Sequence, residues 1–330
     1  MHRLAWLVVG ACLSACPLAA VAEEIAVGNY GVSANGMPFG VALAKGYFKE
    51  EGLNITGLIP SAGGGTSLRN MLAGGGVPYG EVNPGVIISA IQAGADLKIV
   101  SDNVLTVAEF VWAVKPDSPI KSVKDFKGKK IGYTNPRSTS QALARLLLGT
   151  VGLKEEDAEL VKTGGFGEGV AALEQGLIDV APITEPLWSK YKNKFRAVVV
   201  ASEALPPLDN VVGVTTVEMA QKKGDFIRAV IRARRKAVLF MKSNPDEAAE
   251  IVAKAYNIDL DVAKSAVRNL TTSTTQGVPY WGGRDPPRGH EADDRGAARG
   301  RRDHGRGRLR EDHRHELPAQ RSQGDQVTLA

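Results

Sequence analysis

Short apolar segments alternate with helical segments along most of this chain, and that alternation limits the possible folds more than any other feature. Helices are expected after Gly65, from Ser138 and over residues 168–175. Strands are expected at residues 25–28, 55–59, 96–101, 110–114, 130–133, 158–161, 178–181 and 197–200. Strands that alternate with helices at this spacing are typical of a parallel α/β sheet. The predicted fold class is therefore α/β.

The length and charge of the chain set further bounds. With 330 residues, 43% of them hydrophobic, the chain can bury a large core, and its length favours two lobes over one. The formal net charge is +5, to which Arg3 and the arginines beyond Gly282 contribute, so the residues between them are close to neutral. We therefore expect no nucleic-acid partner.

The amino terminus predicts an export signal. A short positive start ending at Arg3 precedes an apolar run over residues 4–18, and Ala20-Val21-Ala22 is a small-x-small cleavage site before two acids. The apolar run is short for a membrane-spanning helix. We expect residues 1–22 to be a signal peptide and the mature protein to be periplasmic. This cleavage removes both cysteines and so excludes disulfides and thiolate metal sites.

A lipid anchor is the alternative at the same place. Leu13-Ser14-Ala15-Cys16 resembles a lipoprotein processing box, in which the cysteine becomes the lipidated first residue. Both the soluble and the anchored form therefore remain open.

Residues 38–55 form a distinctive segment. From Pro38 to Ala44 the sequence predicts a helix of small apolar residues, Gly46 stops it, and a second turn leads into a strand at Ile55. This pattern resembles the opening segment of substrate-binding proteins of bacterial ABC importers. The most similar branch includes taurine, aliphatic-sulfonate, nitrate and thiamine-pyrimidine binders. The resemblance extends from Ile25 to about Trp281 and implies a type II periplasmic-binding-protein fold, in which a two-stranded hinge joins two βαβ lobes.

The resemblance also implies where the chain crosses between the lobes. We expect the first crossing near Glu109 and the second near Pro206-Pro207, a stiff segment suited to a hinge. Lobe I then comprises residues 23–108 and 207–281, and lobe II residues 109–206. Residues 72–79 and 173–180 resemble each other weakly in sequence, as two lobes of similar design would predict. The alternative is that any connection from a helix to a strand has a similar sequence.

Beyond the second crossing a strand is expected at residues 210–215 and a long helix at 226–241. Asn244-Pro245 begins another helix, with the asparagine as its cap. We interpret the arginines and lysines of residues 228–236 as a solvated face of the long helix.

The carboxyl tail, residues 282–330, departs from the rest of the chain. It has no lysine and no aromatic residue, and it contains four of the five histidines, among them His304, His313 and His315. We expect disorder, because such a segment buries too little apolar surface to offset its ordering entropy. Its composition also fits a GC-rich gene read out of frame, since the next frame permits a family-like ending. We hypothesise a frameshift and expect no metal site there.

Three loops that follow predicted strands are the main candidates for ligand binding. Ligands in open α/β sheets bind where strands end and helices begin. The first loop contains Gly64, Gly65 and Thr66, whose backbone N–H groups can approach an anion, with a flexible cap as the alternative. The second loop is the ligand loop of lobe II in the resembling family. Its candidates are Asn135, Arg137, Ser138, Thr139 and Ser140, with plain helix capping as the alternative.

The third loop, residues 184–188, contains Glu185, and two other segments supply the remaining candidates. In the resembling family an acidic or aromatic residue before a proline faces the cleft, and Glu185 stands at this place. Its carboxylate would oppose a bare anion, which favours an organic or zwitterionic ligand, although Glu185 also suits helix capping. Tyr30, Asn35, Phe39 and Asn83 complete the set, with core packing as an equal alternative for the aromatic residues.

The resemblance implies a solute-binding protein that performs no chemistry. We expect it to bind a small anionic or zwitterionic organic solute by hinge closure, to dock on ABC permease and ATPase subunits, and to be a monomer without cofactor or metal. A thiamine-pyrimidine synthase-like enzyme shares the fold but needs cysteines and histidines that the body lacks. An effector-sensing domain also shares it, but would need a helix-turn-helix in place of the export signal.

Overall fold

Two β-sheets organise the part of the chain that the computed structural model describes, residues 23–61, 64–73 and 77–282. In chain order the strands are β1 (Glu23–Gly28), β2 (Ile55–Ser61), β3 (Gly80–Val82), β4 (Leu97–Val104), β5 (Val111–Val114), β6 (Lys130–Tyr133), β7 (Glu159–Lys162), β8 (Ala181–Ile183), β9 (Arg196–Val200), β10 (Val211–Thr216), β11 (Thr274–Thr275) and β12 (Val278–Pro279). The expected signal peptide, the Cys16 anchor and the tail beyond Gly282 lie outside the described residues.

Helices connect and cover these strands. In chain order they are α1 (Met37–Ala44), α2 (Tyr47–Glu50), α3 (Gly64–Leu72), α4 (Pro84–Gln92), α5 (Thr139–Thr150), α6 (Phe166–Gln175), α7 (Leu187–Tyr191), α8 (Ala201–Ala204), α9 (Val217–Lys222), α10 (Gly224–Ser243), α11 (Pro245–Tyr256) and α12 (Leu260–Thr272). Within the described ranges, every helix is too short or too polar to cross a membrane.

The two sheets share one strand order. The first runs β2-β1-β3-β10-β4, with β1 parallel to β2 and β3. In the second sheet β5 lies between β8 and β9, β6 pairs in parallel with β7, and a bridge between Ile131 and Val180 joins β6 to the residue before β8. The resulting order, β7-β6-β8-β5-β9, repeats that of the first sheet.

The sheets are mixed and not wholly parallel, which corrects the prediction from the alternating pattern. Strand β10 runs antiparallel to β3 and β4, and β5 runs antiparallel to β8 and β9. The chain reaches each of these strands from the other sheet. It therefore runs through the strand in the opposite direction to the neighbouring strands of the βαβ units. The weak resemblance between residues 72–79 and 173–180 has a structural counterpart, because each segment leads into the strand beside β1 or β6.

Apolar residues fill both faces of each sheet. One core of the first sheet packs α1, α10, α11 and α12 against β1, and a second core packs α3 and α4 against β3 and β10. In the second sheet, α5 covers one face and α6 covers the other. This layering follows from helices that are apolar on one side and strands that are buried on both.

The chain passes between the sheets in two segments, residues 105–110 and 201–210. The second segment contains α8, and its last residue, Asn210, donates from Nδ2 to Oε1 of Glu109 at 2.6 Å. This hydrogen bond joins the two passages to each other.

Candidate ligand-binding cleft

A cavity of about 750 Å³ lies between the two sheets. Its walls come from the loops that follow β1, β3, β6 and β7, and its floor includes Glu109 and Asn210 from the two passages. These loops lie at the carboxyl ends of parallel strands, where α/β sheets bind their ligands. The volume is within the range of about 300–1,000 Å³ that holds drug-sized molecules.

Four helices begin at this cavity: α3, α4, α5 and α6. The cavity lining includes Gly65 and Thr66 at the start of α3 and Asn83, which is the N-cap of α4. It also includes Ser138, the N-cap of α5, and Phe166 in the first turn of α6. Helix amino termini carry unpaired N–H groups and a partial positive charge, so together they favour an anionic or electron-rich group.

The loop over residues 134–140 is held in shape by its own polar groups. Ser138 Oγ accepts a hydrogen bond from Gln141 N at 3.2 Å and caps α5. Ser140 Oγ accepts from Thr134 N at 3.0 Å, and Asn135 Nδ2 donates to Gly164 O at 2.6 Å. The loop therefore forms a preshaped wall of the cavity. Ser138 also caps α5, which is the alternative role that the sequence suggested for this loop.

One hydrogen bond crosses the cavity between its walls. Asn83 Nδ2, at the start of α4, donates to the carbonyl oxygen of Arg137 at 3.1 Å. Arg137 has φ +66, and its N–H donates to Gln141 Oε1 at 2.8 Å. The left-handed conformation is uncommon for a residue with a side chain. Here it turns the Arg137 carbonyl toward Asn83 and leaves the guanidinium exposed at the cavity rim.

A buried carboxylate in the cavity lining is paired with a buried cation. Glu81, on β3, accepts from Asn103 Nδ2 at 2.6 Å, and Oε1 lies 3.4 Å from Arg234 Nε. Asn35 Nδ2 approaches Oε2 of Glu81 at 3.5 Å. Burial raises the pKa of Glu81 to about 7, whereas Arg234 and the amides lower it. Arg234 therefore lies in the core, and the expectation that all basic residues of 228–236 face solvent is wrong for this residue.

A second buried carboxylate in the floor has no such cation. Glu109 is only 2% exposed. Oε1 accepts from Asn210, but Oε2 has no hydrogen-bond partner among the residues that the structure describes. The Tyr280 hydroxyl and the Ala34 amide approach the carboxyl group and lower its pKa. Burial has the larger effect and raises the pKa of Glu109 to about 8.

The structure brings most of the sequence-predicted site residues to one cavity. Those in its lining are Asn35, Gly65, Thr66, Asn83, Asn135, Arg137, Ser138, Thr139 and Ser140. They come from both sheets, and sequence reasoning placed them together because each begins a helix or follows a strand.

Three predicted residues that the structure describes are not in the lining. Phe39 is fully buried, 6.1 Å from the ring of Tyr79, and Tyr30 packs edge-on against Tyr256 at 5.2 Å, so both follow the core-packing alternative. Gly64 is the first residue of α3, and its position relative to the cavity lies outside what the structure describes. Glu185 is buried and accepts from Ser189 N and Asn269 Nδ2, and the first of these bonds satisfies the start of α7 as a cap does.

Sequence reasoning missed Glu81 and Glu109 as cavity residues. Each is a single acid within an apolar stretch, Tyr79-Gly80-Glu81-Val82 and Val107-Ala108-Glu109-Phe110. An acid in a segment that otherwise reads as buried is the signal that identifies them, because buried charges are rare and need partners.

The two repeated sheets and the cavity between them define the class: this is the periplasmic-binding-protein fold. The crystal structure of the periplasmic aliphatic sulphonate binding protein SsuA from Escherichia coli matches with a TM-score of 0.65 and 22% identity, covering 75% of this chain and 83% of that one. At this identity the likeness shows the fold.

The family follows from the sequence match. The family model described as NMT1/THI5 like matches residues 33–248, and the chain belongs to this family. A putative binding protein of Brucella abortus is 26% identical over 287 residues, which cover 84% of this chain and 86% of the relative. The riboflavin-binding protein RibY of Chloroflexus aurantiacus is 24% identical over 259 residues, covering 74% and 68%.

Proposed function

We propose that this protein is the extracytoplasmic solute-binding component of an ABC importer. It captures a small organic solute between two lobes, residues 23–108 with 207–281 and residues 109–206, and closes around it by a hinge at the two passages. The observation that carries the proposal is the 750 Å³ cavity, whose walls belong to different sheets joined by only two segments of the described chain.

The relatives support this assignment. The curated relatives that match over most of this chain are named binding proteins, and the fold is that of a sulphonate-binding protein. By analogy with them the protein is periplasmic and delivers its solute to a membrane permease and ATPase. An enzyme of the thiamine-pyrimidine synthase type is the weaker candidate, since all histidines and cysteines of the chain lie outside residues 23–282.

Hinge closure explains how binding signals to a permease. A solute that contacts both walls stabilises the closed arrangement by its differential affinity for the two states. Asn83 and Arg137 face each other across the cavity at 3.1 Å, so wall-to-wall contacts of this kind are available to the closed arrangement.

Two measurements on one sample test the proposal. The protein is unfolded in guanidinium, dialysed to remove retained solute and refolded, then screened by thermal shift against sulfonates, carboxylates, amino acids, pyrimidines and flavins. We expect one chemical class to raise the melting temperature. Small-angle X-ray scattering with the same compound should show a smaller radius of gyration. Lys222→Ala, on exposed α9, is the control for nonspecific effects.

Each measurement has an outcome that contradicts the proposal. Refolded protein that melts cooperatively but binds no compound of any class, and that copurifies with no small molecule by native mass spectrometry, contradicts solute binding. Binding without a change in radius of gyration contradicts the hinge while leaving solute binding in place.

A further inference from the structure

Glu185, which the sequence predicted to face the ligand, instead connects the two lobes away from the cavity. Its carboxyl group lies just before α7, beside the second sheet, and Oε1 accepts from Nδ2 of Asn269 at 2.8 Å. Asn269 lies on α12, which packs against the first sheet. Among the described residues of the cavity lining, none comes from either helix. The Glu185 carboxyl is therefore engaged between the lobes and not at the solute site.

Two further hydrogen bonds continue this contact along the two helices. Ser189 Oγ, on α7, donates to Ser265 Oγ, on α12, at 3.0 Å, and Nζ of Lys192 donates to the same oxygen at 3.0 Å. Ser265 and Asn269 are one helical turn apart, so the contact extends about 6 Å along α12. The α7–α12 contact is the name used below for the group of Glu185, Ser189, Lys192, Ser265 and Asn269.

The α7–α12 contact is polar, which makes it reversible. The apolar cluster that includes α12 belongs to the first sheet, and the clusters that include α7 belong to the second. Within the described ranges, no apolar cluster contains residues of both helices. Water can replace hydrogen-bond partners at a small net cost, whereas separating a shared apolar core would expose it. The two helices can therefore part and meet again while each lobe keeps its core.

The contact is also specific to one angle between the lobes. In the arrangement of the structure, Asn83 meets the carbonyl oxygen of Arg137 across the cavity at 3.1 Å, so the walls touch while the α7–α12 contact is made. A hydrogen bond weakens beyond about 3.2 Å and is absent at about 3.6 Å. Neither helix belongs to the two passages, so a rotation about the passages that parts the walls also displaces α7 against α12. Both contacts therefore belong to the closed arrangement.

We propose that the α7–α12 contact is a latch that forms when the lobes close and breaks when they open, so that it retains the solute without touching it. The inference rests on the proposed solute-binding function and adds residues outside the cavity that set the affinity. Glu185 and Asn269 are then positioning residues. Because the latch stabilises the closed arrangement and does not contact the solute, it strengthens the binding of every solute that closes the cleft by the same factor.

A reversible crosslink across the latch tests the proposal without any solute. We would introduce Ser189→Cys and Ser265→Cys into a chain in which Cys12 and Cys16 are replaced by serine. The two Oγ atoms lie 3.0 Å apart, so the substituted side chains can reach disulfide distance in the closed arrangement. Small-angle X-ray scattering of the refolded protein should give a smaller radius of gyration for the oxidised form than for the reduced form. Ser189→Cys alone, treated with the same oxidant, is the control.

Removal of one partner measures the contribution of the latch to binding. Ethanesulfonate, benzoate and riboflavin serve as calorimetric probes from three classes of solute. Asn269→Ala removes the hydrogen bond to Glu185 and should raise the dissociation constant of each probe that binds by about tenfold or more, the range for a bond to a charged group. Arg268→Ala, beside it on α12 with a surface ion pair to Asp246, should leave the constants unchanged.

A purely structural role for Asn269 would give a different result. A bond present in both the open and the closed arrangement would stabilise both equally. Its loss would then lower the denaturant midpoint of Asn269→Ala and leave the dissociation constants as they are. The comparison of midpoint with dissociation constant therefore distinguishes a latch from a permanent contact.

The outcomes separate the inference from the proposed function. Equal radii of gyration for the oxidised and reduced forms overturn the latch, and so does a folded cysteine pair that does not oxidise, because closure would bring its thiols together. Probe binding that is unchanged in Asn269→Ala also overturns the latch while solute binding stands. If the cysteine pair does not fold, Asn269→Ala decides, since its site is exposed. If no probe binds, the scattering comparison decides the latch and the broader thermal-shift screen decides the proposed function.

Discussion

Arg234 Nε lies 3.4 Å from Oε1 of Glu81, and both side chains are almost wholly buried. The pair joins α10 to β3, two elements far apart in the chain. Arg234 also donates from Nη2 to Asn103 O at 2.7 Å, and its guanidinium lies 5.5 Å from the centre of the Phe39 ring. Because neither charge has access to water, each depends on the other for its stability.

Arg234→Met should lower the free energy of unfolding by about 3–5 kcal/mol, since it leaves a buried carboxylate without its cation. Denaturant unfolding measures the loss. Adding Glu81→Gln should recover part of it, because the double variant contains no unpaired charge. Arg232→Met is the control on the same helix: its pair with Glu51 is partly exposed and is worth at most about 1 kcal/mol. Equal losses for Arg232 and Arg234 would contradict the buried-pair interpretation.

The solute-free protein should lose stability as the pH rises. The pKa of Glu109 is about 8 in the fold, against an ordinary value of 4.5, so the folded state binds its proton more tightly than the unfolded state does. The contribution is complete below pH 4.5 and is lost as the pH rises through 8, with a slope of up to about 1.4 kcal/mol per pH unit. Denaturant midpoints from pH 5 to pH 9 measure it. Glu109→Gln should remove its share of this dependence and leave the fall between pH 4.5 and 7 that comes from Glu81, whose pKa is raised to about 7. An unchanged slope in that variant would assign the effect to other groups.

Gly213→Ala should destabilise the fold by disturbing the network around Glu81. A β-carbon at Gly213, on β10, would lie 2.8 Å from Cε2 of Tyr79, whose hydroxyl accepts from Asn103 Nδ2 at 2.8 Å. Overpacking of this kind costs about 1–3 kcal/mol. Thermal and denaturant unfolding measure the cost. Gly149→Ala on α5 is the matched control, since its added methyl group meets nothing within 4 Å. A loss no larger than that of the control would mean that Tyr79 moves aside freely.

Ser138→Ala should weaken the amino terminus of α5 by about 1 kcal/mol, the usual value of an N-cap. Ser138 Oγ accepts from Gln141 N at 3.2 Å, and its loss leaves that N–H without the cap. Thr139→Ala, one residue later and inside the helix, is the comparison, because no capping bond depends on it. Denaturant unfolding distinguishes the two. Equal effects would indicate that hydroxyl loss in this loop, and not capping, sets the cost.

The local sequence predicted the positions of strands and helices well where apolar runs or capping residues mark their ends. Strand β6 was expected at residues 130–133, where it lies, and Ser138 was expected to precede a long helix, which it caps. Strand β8 was expected at 178–181 but is Ala181–Ile183. Ile178 and Val180 are buried, and Val180 pairs with β6 through an isolated bridge, but the ladder with β5 that defines β8 begins only at Ala181. An apolar pattern predicts burial and does not specify the partner strand.

The burial and the partners of the polar groups in the site could not be predicted from the local sequence. Nothing around Arg234 distinguishes it from Arg232, yet one is buried against Glu81 and the other pairs with Glu51 at the surface. The difference depends on which strand lies beneath the helix, which only the assembled fold determines. Glu185 shows the same limit, because Asn269, which engages its carboxylate, comes from α12, far along the chain.

The hydrogen bond between Asn210 and Glu109 joins the only two described segments that link the sheets, and it lies in the cavity floor. In a rotation about these segments, atoms near the axis move least and atoms on the distant walls sweep the longest arcs. A solute group seated on the floor therefore meets nearly the same surroundings before and after the rotation. The helix starts above it reach their final distance only at the end. In the proposed hinge closure, a solute therefore makes its contacts with the floor before those with the helix starts at the rim.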